Sequence, residues 1–292
     1  MFSQTEDGQN TLTHIWDYRE KLPNTPYTIS GHSRAAERTS FYVPELGILF
    51  DAGISTYHSP KIVLITHCHS DHCCMLPMVI TNWKSSEPFR VIVPFSQKTM
   101  FNKYLNSSFQ LFTENSHVSV TGCNIEGWEP NMEYNFGKNI LIKTYKCDHS
   151  VGCLAYGIIE QRNKLKDEYR TFSGKDIALL RKDGVSITNE IYLKQFVYIG
   201  DTSIKIFENY PELFEYQAII VECTYLRDCD EEFAPMYKHI HWKQLVNYIV
   251  KNQEVHFMLI HFSMRYKNEE VIDFFTEKRS QLGISNFSPW LN

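Results

Sequence analysis

The chain of 292 residues contains 43% hydrophobic and 22% charged residues, close to the globular average, and this excludes a disordered or fibrous protein. No apolar run approaches the ~18 residues of a membrane span, and the first ten residues resemble neither a signal peptide nor a transit peptide. We therefore expect a soluble intracellular protein, cytoplasmic or nuclear, with no membrane partner. The formal net charge of −5 means that a nucleic acid would have to be held by a local basic patch or by metal cations.

Short β-rich runs alternate with segments of helical periodicity in both halves of the chain. In chain order, strands are predicted at 39–53, 61–67, 90–94, 139–147, 196–201, 218–223 and 255–262. Helices are predicted at 72–83, 96–109, 241–251 and 268–281. No repeat or long Pro/Gly/Ser linker interrupts this pattern, so we predict one α/β domain over 1–292, with helices layered against sheets.

The eight cysteines are scattered without the regular spacing of a disulfide framework, and no CxxC pair occurs. In a chain without a secretory signal, this usage predicts reduced thiols. It also argues against a structural zinc site held by cysteines.

The most distinctive motif is HCHSDH at residues 67–72, directly after the apolar run KIVLIT. Three imidazoles and a carboxylate in one tight turn suit Zn²⁺ and related divalent ions. Any one of these histidines could instead be a buried side chain with a backbone partner, but such a density of ligands has no packing rationale. The motif therefore predicts a metal site.

Three further ligand residues follow apolar runs: His149, Asp201 and His261. Each is a weak signal alone, because Asp201 could cap a helix and the histidines could be buried imidazoles. With the HCHSDH motif they provide the seven ligands that a binuclear site needs, with one carboxylate shared. Because sites in α/β folds lie at strand ends, we predict that the seven ligands meet there.

The motif order HxHxDH, DHSVGCLAYGI, YIGDTS, IIVECTYL and HFSMRY resembles the metallo-β-lactamase superfamily, and the last two motifs resemble its ribonuclease Z family. The resemblance covers about residues 27 to 266, and residues 31–53 look like the family's opening hairpin. It implies an αβ/βα sandwich with the metals at one sheet edge, usually in a homodimer. It also implies a zinc-dependent endoribonuclease that removes the 3′ trailer of precursor tRNA and produces 5′ phosphates.

The resemblance also assigns the ligands. One zinc is implied for His67, His69 and His149, the other for Asp71, His72 and His261, and Asp201 is the bridge. Asp71 is additionally the implied general base for a water activated by the two metals. Asp51 either accepts a hydrogen bond from a ligand imidazole or is a turn residue at a strand end.

Glu222 and His239 match the pair that, in this family, protonates the leaving 3′ oxygen. A carboxylate beside an imidazole raises the pKa of that imidazole toward neutrality, which suits a general acid. The match is imperfect, since Val221 stands where the family usually has a histidine. His241 competes for the acid role, although it could instead be a first-turn residue of the following helix. We favour His239.

Substrate contacts are predicted in two places. Arg265 and Tyr266 follow His261 closely enough to reach a phosphate, unless they only solvate a helix start. Residues 160–195 replace the family's Gly/Pro-rich tRNA-binding arm with a segment of no proline and two glycines. Within it, 162–182 contains seven Lys/Arg and three acidic residues, which makes Lys164, Lys166 and Arg170 candidate tRNA contacts. A solvated helical face would give the same pattern.

Two other functions fit parts of the pattern. The metal motif alone does not select a substrate, so another hydrolase of the superfamily could act on cyclic nucleotides, thioesters, lactones or sulfate esters. Glu222 and the HFSMRY motif argue against that alternative. A non-catalytic RNA-binding homologue is the second alternative, and the presence of all seven ligands argues against it.

Overall fold

The first of two sheets is built from the N-terminal half of the chain. The computed structural model describes residues 12–84, 89–120 and 123–291. The sheet contains, in spatial order, β1 (Glu20–Lys21), β2 (Thr28–Arg34), β3 (Arg38–Val43), β4 (Ile48–Phe50), β5 (Ile62–Leu64), β6 (Phe89–Pro94) and β7 (Cys123–Trp128). Neighbours from β1 to β4 are antiparallel, and those from β4 to β7 are parallel.

The second sheet repeats this plan with the C-terminal half. It contains, in spatial order, β8 (Glu133–Phe136), β9 (Ile140–Lys146), β10 (Leu154–Leu165), β11 (Thr188–Tyr198), β12 (Ala218–Glu222), β13 (His256–Ile260) and β14 (Phe287–Pro289). Neighbours from β8 to β11 are antiparallel, and those from β11 to β14 are parallel. The two sheets therefore have the same order of antiparallel and parallel strands.

Helices pack on the outer face of each sheet, except for one helix of the second half that has no buried residue. Those of the first half are α1 (Leu12–Asp17), α2 (Ser70–Cys73), α3 (Leu76–Thr81) and α4 (Lys98–Thr113). Those of the second half are α5 (Gly174–Lys182), α6 (Lys205–Asn209), α7 (Phe233–Tyr237), α8 (Trp242–Lys251) and α9 (Asn268–Leu282). None of these helices has the length and apolar composition that a membrane span needs.

The alternation of side chains along each strand builds the layers. In β11, Phe196 and Tyr198 pack into the core between the sheets, whereas Val197 packs into the core beneath α6, α8 and α9. In β5, Ile62 and Leu64 likewise face the inner core. A third core lies between the first sheet and α2 to α4. The predicted αβ/βα sandwich is thus confirmed, while the extent of a single domain over 1–292 stays a prediction.

Several predicted elements are divided in the structure. The helix expected at 72–83 is two helices, α2 and α3, because Pro77, the second residue of α3, has no N–H to continue a helix from α2. The run at 39–53 is two strands joined by a turn in which Gly47 has φ +66°. The hairpin expected within 31–53 is confirmed as the antiparallel pair β2 and β3.

The segment 160–195 forms an arm rather than a helix. Strands β10 and β11 remain paired with each other as far as Leu165 and Thr188, beyond the last β9 partner at Glu160. The arm ends in α5, which has no buried residue. Lys164 lies in β10, and Lys166 and Arg170 flank a short 3-10 turn. None of these three candidates lies on α5, so a solvated helical face does not account for them.

Candidate metal centre

The ends of four strands bring the predicted ligands together. His67 follows β5, His149 follows β9, Asp201 follows β11, and His261 follows β13. The apolar strands fix these positions because each strand is held on both sides by its sheet neighbours. All seven predicted ligands fall into two adjoining donor groups.

The first donor group joins three imidazoles to one oxygen of Asp201. His67 Nε2 lies 3.0 Å from His69 Nδ1, which lies 3.2 Å from His149 Nε2. Asp201 Oδ2 is 3.7 Å from His67 Nε2 and 3.9 Å from His149 Nε2. The four side chains therefore present their donor atoms to one point.

The second donor group contains Asp71, His72 and His261. His72 Nε2 and His261 Nε2 lie 3.4 Å apart, and each is 3.6 Å from Asp71 Oδ2. Asp201 Oδ1 lies 3.4 Å from both of these nitrogens. Asp201 thus turns one carboxylate oxygen toward each group, which is the arrangement of a ligand shared by two ions.

This donor set suits divalent cations. Ligand atoms of a tetrahedral zinc with bonds of about 2.0–2.1 Å lie about 3.4 Å apart, and the contacts described above are 3.0–3.9 Å long. Burial and the neighbouring imidazoles hold the pKa of His67 well below its usual range, so its ring is neutral and has a free lone pair. A hydrogen bond can satisfy the lone pair of only one of these donor atoms, whereas one cation can bind the lone pairs of all the atoms in a donor group.

Negative charge is concentrated around the second group. Burial lowers the pKa of His72, but Asp201 and Asp51 outweigh burial and raise it to about 10. Burial raises the pKa of Asp71, but its contact with His261 and the charges of the nearby imidazoles hold it below its usual range. The same excess of negative charge favours a divalent cation at this position.

Asp51 orients two of the ligands from beneath the site. Its carboxylate lies 2.8 Å from His72 Nδ1 and accepts hydrogen bonds from the Tyr198 hydroxyl at 3.0 Å and the Thr66 backbone N–H at 2.7 Å. Thr66 Oγ1 in turn lies 3.0 Å from His67 Nδ1. Asp51 therefore accepts a hydrogen bond from the imidazole of His72, while the role of His72 as a metal ligand stays a prediction. Contacts of this kind fix the orientation of a ligand ring.

Two other ligands have a partner on the second ring nitrogen. His261 Nδ1 lies 3.1 Å from Thr224 Oγ1, and His149 Nδ1 lies 3.4 Å from the Lys238 carbonyl oxygen. His261 and Lys238 both have a positive φ, 63° and 55°. Residues other than glycine rarely adopt this left-handed backbone conformation, and those that do are concentrated at functional sites.

The ligand loop is packed too tightly for a larger residue at Gly53. A Cβ at Gly53 would lie 1.8 Å from the carbonyl oxygen of Asp71. On the other side of the loop, the backbone N–H of Ala36 donates to Asp71 Oδ2 at 3.0 Å. The position of Asp71 is therefore fixed both by its backbone and by its side chain.

Glu222 and His239 form a hydrogen-bonded pair beside the donor groups. His239 Nδ1 lies 2.8 Å from Glu222 Oε1, and Glu222 is fully buried. Glu222 also accepts hydrogen bonds from the backbone N–H groups of Thr202 and Ile240. Burial lowers the pKa of His239, but the Glu222 carboxylate outweighs burial and raises it to about 9. The Glu222 carboxylate therefore favours the protonated form of His239.

His239, and not His241, faces the open cleft. The cleft has a volume of about 630 Å³ and is lined by residues of both donor groups, by His239 and by Arg265. His241 is fully buried, where its Nδ1 accepts the Lys243 N–H at the start of α8 and its Nε2 lies 3.0 Å from the Arg227 carbonyl oxygen. Both of its ring nitrogens are therefore engaged within the protein, one at the start of α8 and the other at the Arg227 carbonyl oxygen.

The predictions for Arg265 and Tyr266 have different outcomes. Arg265 lines the cleft with its side chain 50% exposed, and it pairs with Asp230 at 2.7 Å. Tyr266 is only 2% exposed, and its hydroxyl donates to Asp230 and accepts from the Leu226 N–H. The prediction that Tyr266 contacts a phosphate is therefore wrong, because its hydroxyl is used within the protein.

The arm residues lie outside the cleft. Lys164 and Arg170 are exposed, Lys166 is half-buried, and Arg170 pairs with Asp167 at 2.8 Å. The structure does not bring these three side chains to the donor groups, so any contact with RNA there would be remote from the reacting bond.

Sequence reasoning missed the supporting residues Thr66, Thr224 and Lys238. Thr66 and Thr224 lie next to the motifs HCHSDH and VEC, so their positions were a signal, but threonine is also enriched in strands in general. The role of Lys238 depends on a carbonyl group, which the side-chain pattern does not reveal.

Fold and site define a member of the β-lactamase superfamily, and a family model of the beta-lactamase superfamily domain matches residues 48–262. The relative tRNase Z TRZ1 of Arabidopsis thaliana is 31% identical over 255 residues, which cover 85% of this chain and 89% of that protein. The chain belongs to the ribonuclease Z family of hydrolytic endoribonucleases within that superfamily.

A second relative agrees with this assignment, and a solved structure shares the fold. The chloroplastic tRNase Z TRZ2 of the same plant is 28% identical over 252 residues, which cover 84% of this chain and 70% of that protein. The crystal structure of human tRNase Z, short form, has a TM-score of 0.55 at 16% identity and covers 82% of this chain and 93% of the human one. At that identity, the structural likeness shows the shared fold alone.

Proposed function

We propose that this chain removes the 3′ trailer of precursor tRNA as an endoribonuclease that uses two zinc ions, or other divalent metals. The observation that carries the proposal is the pair of donor groups that share Asp201 in a cleft also lined by His239. Membership of the ribonuclease Z family, whose relatives are named for activity on tRNA, supports precursor tRNA as the substrate.

Each predicted site residue has a role in this proposal. One ion would be held by His67, His69 and His149, the other by Asp71, His72 and His261, and both by Asp201. When bound, two divalent cations supply a nucleophile at neutral pH and neutralise charge on the phosphodiester. Asp71 would additionally accept the proton of the attacking water at Oδ2. Arg265 would bind a phosphate at the rim of the cleft.

His239 would act as the general acid. Its Nδ1 faces Glu222, so its Nε2 is the nitrogen that can protonate the departing 3′ oxygen. Glu222 acts through His239, as a positioning residue, because it is fully buried. The family resemblance also supports a homodimer, which sedimentation equilibrium would test.

Cleavage mapping on a precursor tRNA tests the proposed function directly. We expect a tRNA that ends in a 3′ hydroxyl and a trailer that begins with a 5′ phosphate, because water attacks phosphorus and no 2′ hydroxyl takes part. A chelator should stop the reaction, and Asp71→Ala should abolish turnover while leaving most of the RNA binding.

Two results would contradict the proposal. A 2′,3′-cyclic phosphate among the products would exclude attack by water. Hydrolysis of bis(p-nitrophenyl) phosphate without cleavage of any precursor tRNA would assign the chain to another substrate class, and RNA binding without hydrolysis of either substrate would indicate a non-catalytic homologue.

Neutralising the arm tests its proposed part in substrate capture. Replacing Lys164, Lys166 and Arg170 by alanine should raise KM for precursor tRNA and flatten its salt dependence, because fewer counterions are released on binding. Since these side chains lie outside the cleft, kcat should change little. The measurement is KM between low and physiological salt.

A matched control removes the same charge elsewhere. Lys61, Lys103 and Lys251 are exposed and lie outside the arm, so their triple alanine variant should keep the salt dependence of the wild type. If KM for precursor tRNA depends equally on salt in the arm variant and the wild type, the basic residues of the arm face solvent and do not contact the RNA.

A further inference from the structure

A second pocket, which we call the lysine pocket, adjoins the catalytic cleft. Its volume is about 540 Å³, and its lining includes Lys146, Lys205, Lys238 and Asp148. His149 and Lys238 line both the lysine pocket and the cleft, so these two residues form the wall between them. The lysine pocket therefore begins directly behind a predicted metal ligand.

Three separate parts of the chain contribute the lysines. Lys146 is the last residue of β9, Lys205 is the first residue of α6, and Lys238 follows α7. Lys205 and Lys238 have side chains that are 66% and 44% exposed, and Lys146 is also exposed. Three positive charges therefore converge on one concave surface of a protein whose net charge is −5.

Asp148 does not cancel this charge. Asp148 is the one carboxylate among the residues that line the pocket. It accepts hydrogen bonds from Ser203 Oγ at 2.7 Å and from Lys238 Nζ at 2.9 Å. Asp148 also lies 3.9 Å from Lys205 Nζ, so this single carboxylate faces two of the three lysines. Within the described parts of the chain, no carboxylate lies within 4.0 Å of Lys146 Nζ. The pocket keeps a surplus of two positive charges.

The backbone at Lys238 fixes the wall between pocket and cleft. Its left-handed conformation, with φ 55°, directs the carbonyl oxygen to His149 Nδ1 at 3.4 Å. The amine of the same residue reaches Asp148 Oδ1 and the His149 carbonyl oxygen, at 2.9 and 3.3 Å. The positive charge of Lys238 is thus held beside a ligand of the first donor group.

We infer that the lysine pocket binds a backbone phosphate of the RNA strand next to the scissile phosphodiester. The inference rests on the proposed function, because a scissile phosphate at the donor groups places the neighbouring nucleotide against the wall formed by His149 and Lys238. Lysine binds phosphate as a point charge without reading the base. The pocket therefore holds the strand in register at the reacting bond and is indifferent to sequence.

The double variant Lys146→Ala/Lys205→Ala tests this inference. The measurements are the salt dependence of RNA affinity, by fluorescence anisotropy, and the steady-state kinetics on precursor tRNA. Loss of the phosphate contact should reduce the slope of log affinity against log salt by about 1. KM should rise several-fold more for precursor tRNA than for bis(p-nitrophenyl) phosphate, which has no second phosphate.

Two further variants separate charge from structure. Lys146→Arg/Lys205→Arg keeps both charges and should keep the salt slope of the wild type. Lys61→Ala/Lys251→Ala removes two exposed charges outside both pockets, and it should also leave the slope unchanged. All of these side chains are exposed, so we expect equal melting temperatures.

The outcomes distinguish this inference from the proposed function. If the double alanine variant matches the Lys61/Lys251 control in slope and KM while the wild type cleaves precursor tRNA, the lysine pocket does not bind RNA and the proposed function stands. If the wild type cleaves no precursor tRNA but its RNA affinity depends on Lys146 and Lys205, the pocket stands and the proposed function falls. An RNA affinity too weak to measure in the wild type would overturn the inference.

Discussion

Replacing His67 or His261 by alanine is expected to remove bound metal and RNA cleavage together. The wild type should carry close to two transition-metal ions per chain, mostly zinc, because its two donor groups consist of imidazoles and carboxylates. Each substitution removes one donor from a different group, so either one should leave fewer than two ions and lose activity. Metal analysis of the purified protein and turnover on precursor tRNA measure both effects.

Controls separate loss of the site from loss of the fold. His117 is exposed and outside both donor groups, so His117→Ala should keep metal and activity. Because bound ions stabilise only the folded protein, a chelator should lower the melting temperature of the wild type by more than that of either variant. At most one ion per chain under zinc-replete conditions, together with full activity, would exclude a binuclear mechanism.

The sequence predicts the ligand cluster because its ligands follow strands that can be recognised. KIVLIT, FVYIG and FMLI are short apolar runs buried in a sheet, and each is followed within a few residues by a ligand type. The carboxyl ends of parallel strands meet at one edge, so residues such as Asp201 and His261 come together although 60 positions separate them. Apolar pattern and strand direction are enough for this inference.

The contacts around the ligand cluster depend on side-chain packing, which the pattern of apolar residues in the sequence does not predict. Tyr266 follows Arg265 directly, yet only Arg265 lines the cleft, because Asp230 and the Leu226 N–H bind the tyrosine hydroxyl inside the protein.

The arm also has a structure that the sequence pattern does not predict. Its paired strands β10 and β11 extend away from the core, so beyond Glu160 no buried face imposes an alternation of apolar and polar residues.

The sequence pattern also does not decide which of two nearby histidines, His239 or His241, faces the cleft. Both match the motif for a general acid, and the sequence favours His239 without excluding His241. The distinction arises from the start of α8, where His241 accepts the Lys243 N–H and becomes part of the helix cap. His239 precedes this cap and keeps one ring nitrogen for the cleft. Capping geometry, and not residue type, separates the imidazole that lines the cleft from the one that caps a helix.

The leaving group of the substrate should separate the general acid from the metal ligands. If His239 protonates the departing ribose 3′ oxygen, His239→Ala should slow RNA cleavage by about 10²- to 10⁴-fold, the usual contribution of a general acid. Glu222→Gln should show a smaller loss of the same kind, because the amide keeps the shape but not the charge that raises the pKa of His239 to about 9. Turnover of precursor tRNA under single-turnover conditions measures this step.

Bis(p-nitrophenyl) phosphate provides the comparison, since p-nitrophenolate departs without a proton. His239→Ala should keep most of its activity on this diester and both metal ions. His241→Ala is the matched control: it should lose about 1 kcal/mol of stability with its helix cap but cleave RNA nearly as the wild type does. A selective loss on RNA in His241→Ala and not in His239→Ala would transfer the acid role to His241, in conflict with its burial. Equal losses of His239→Ala on both substrates would mean that His239 supports the metal site, since an acid is needed only for the poorer leaving group.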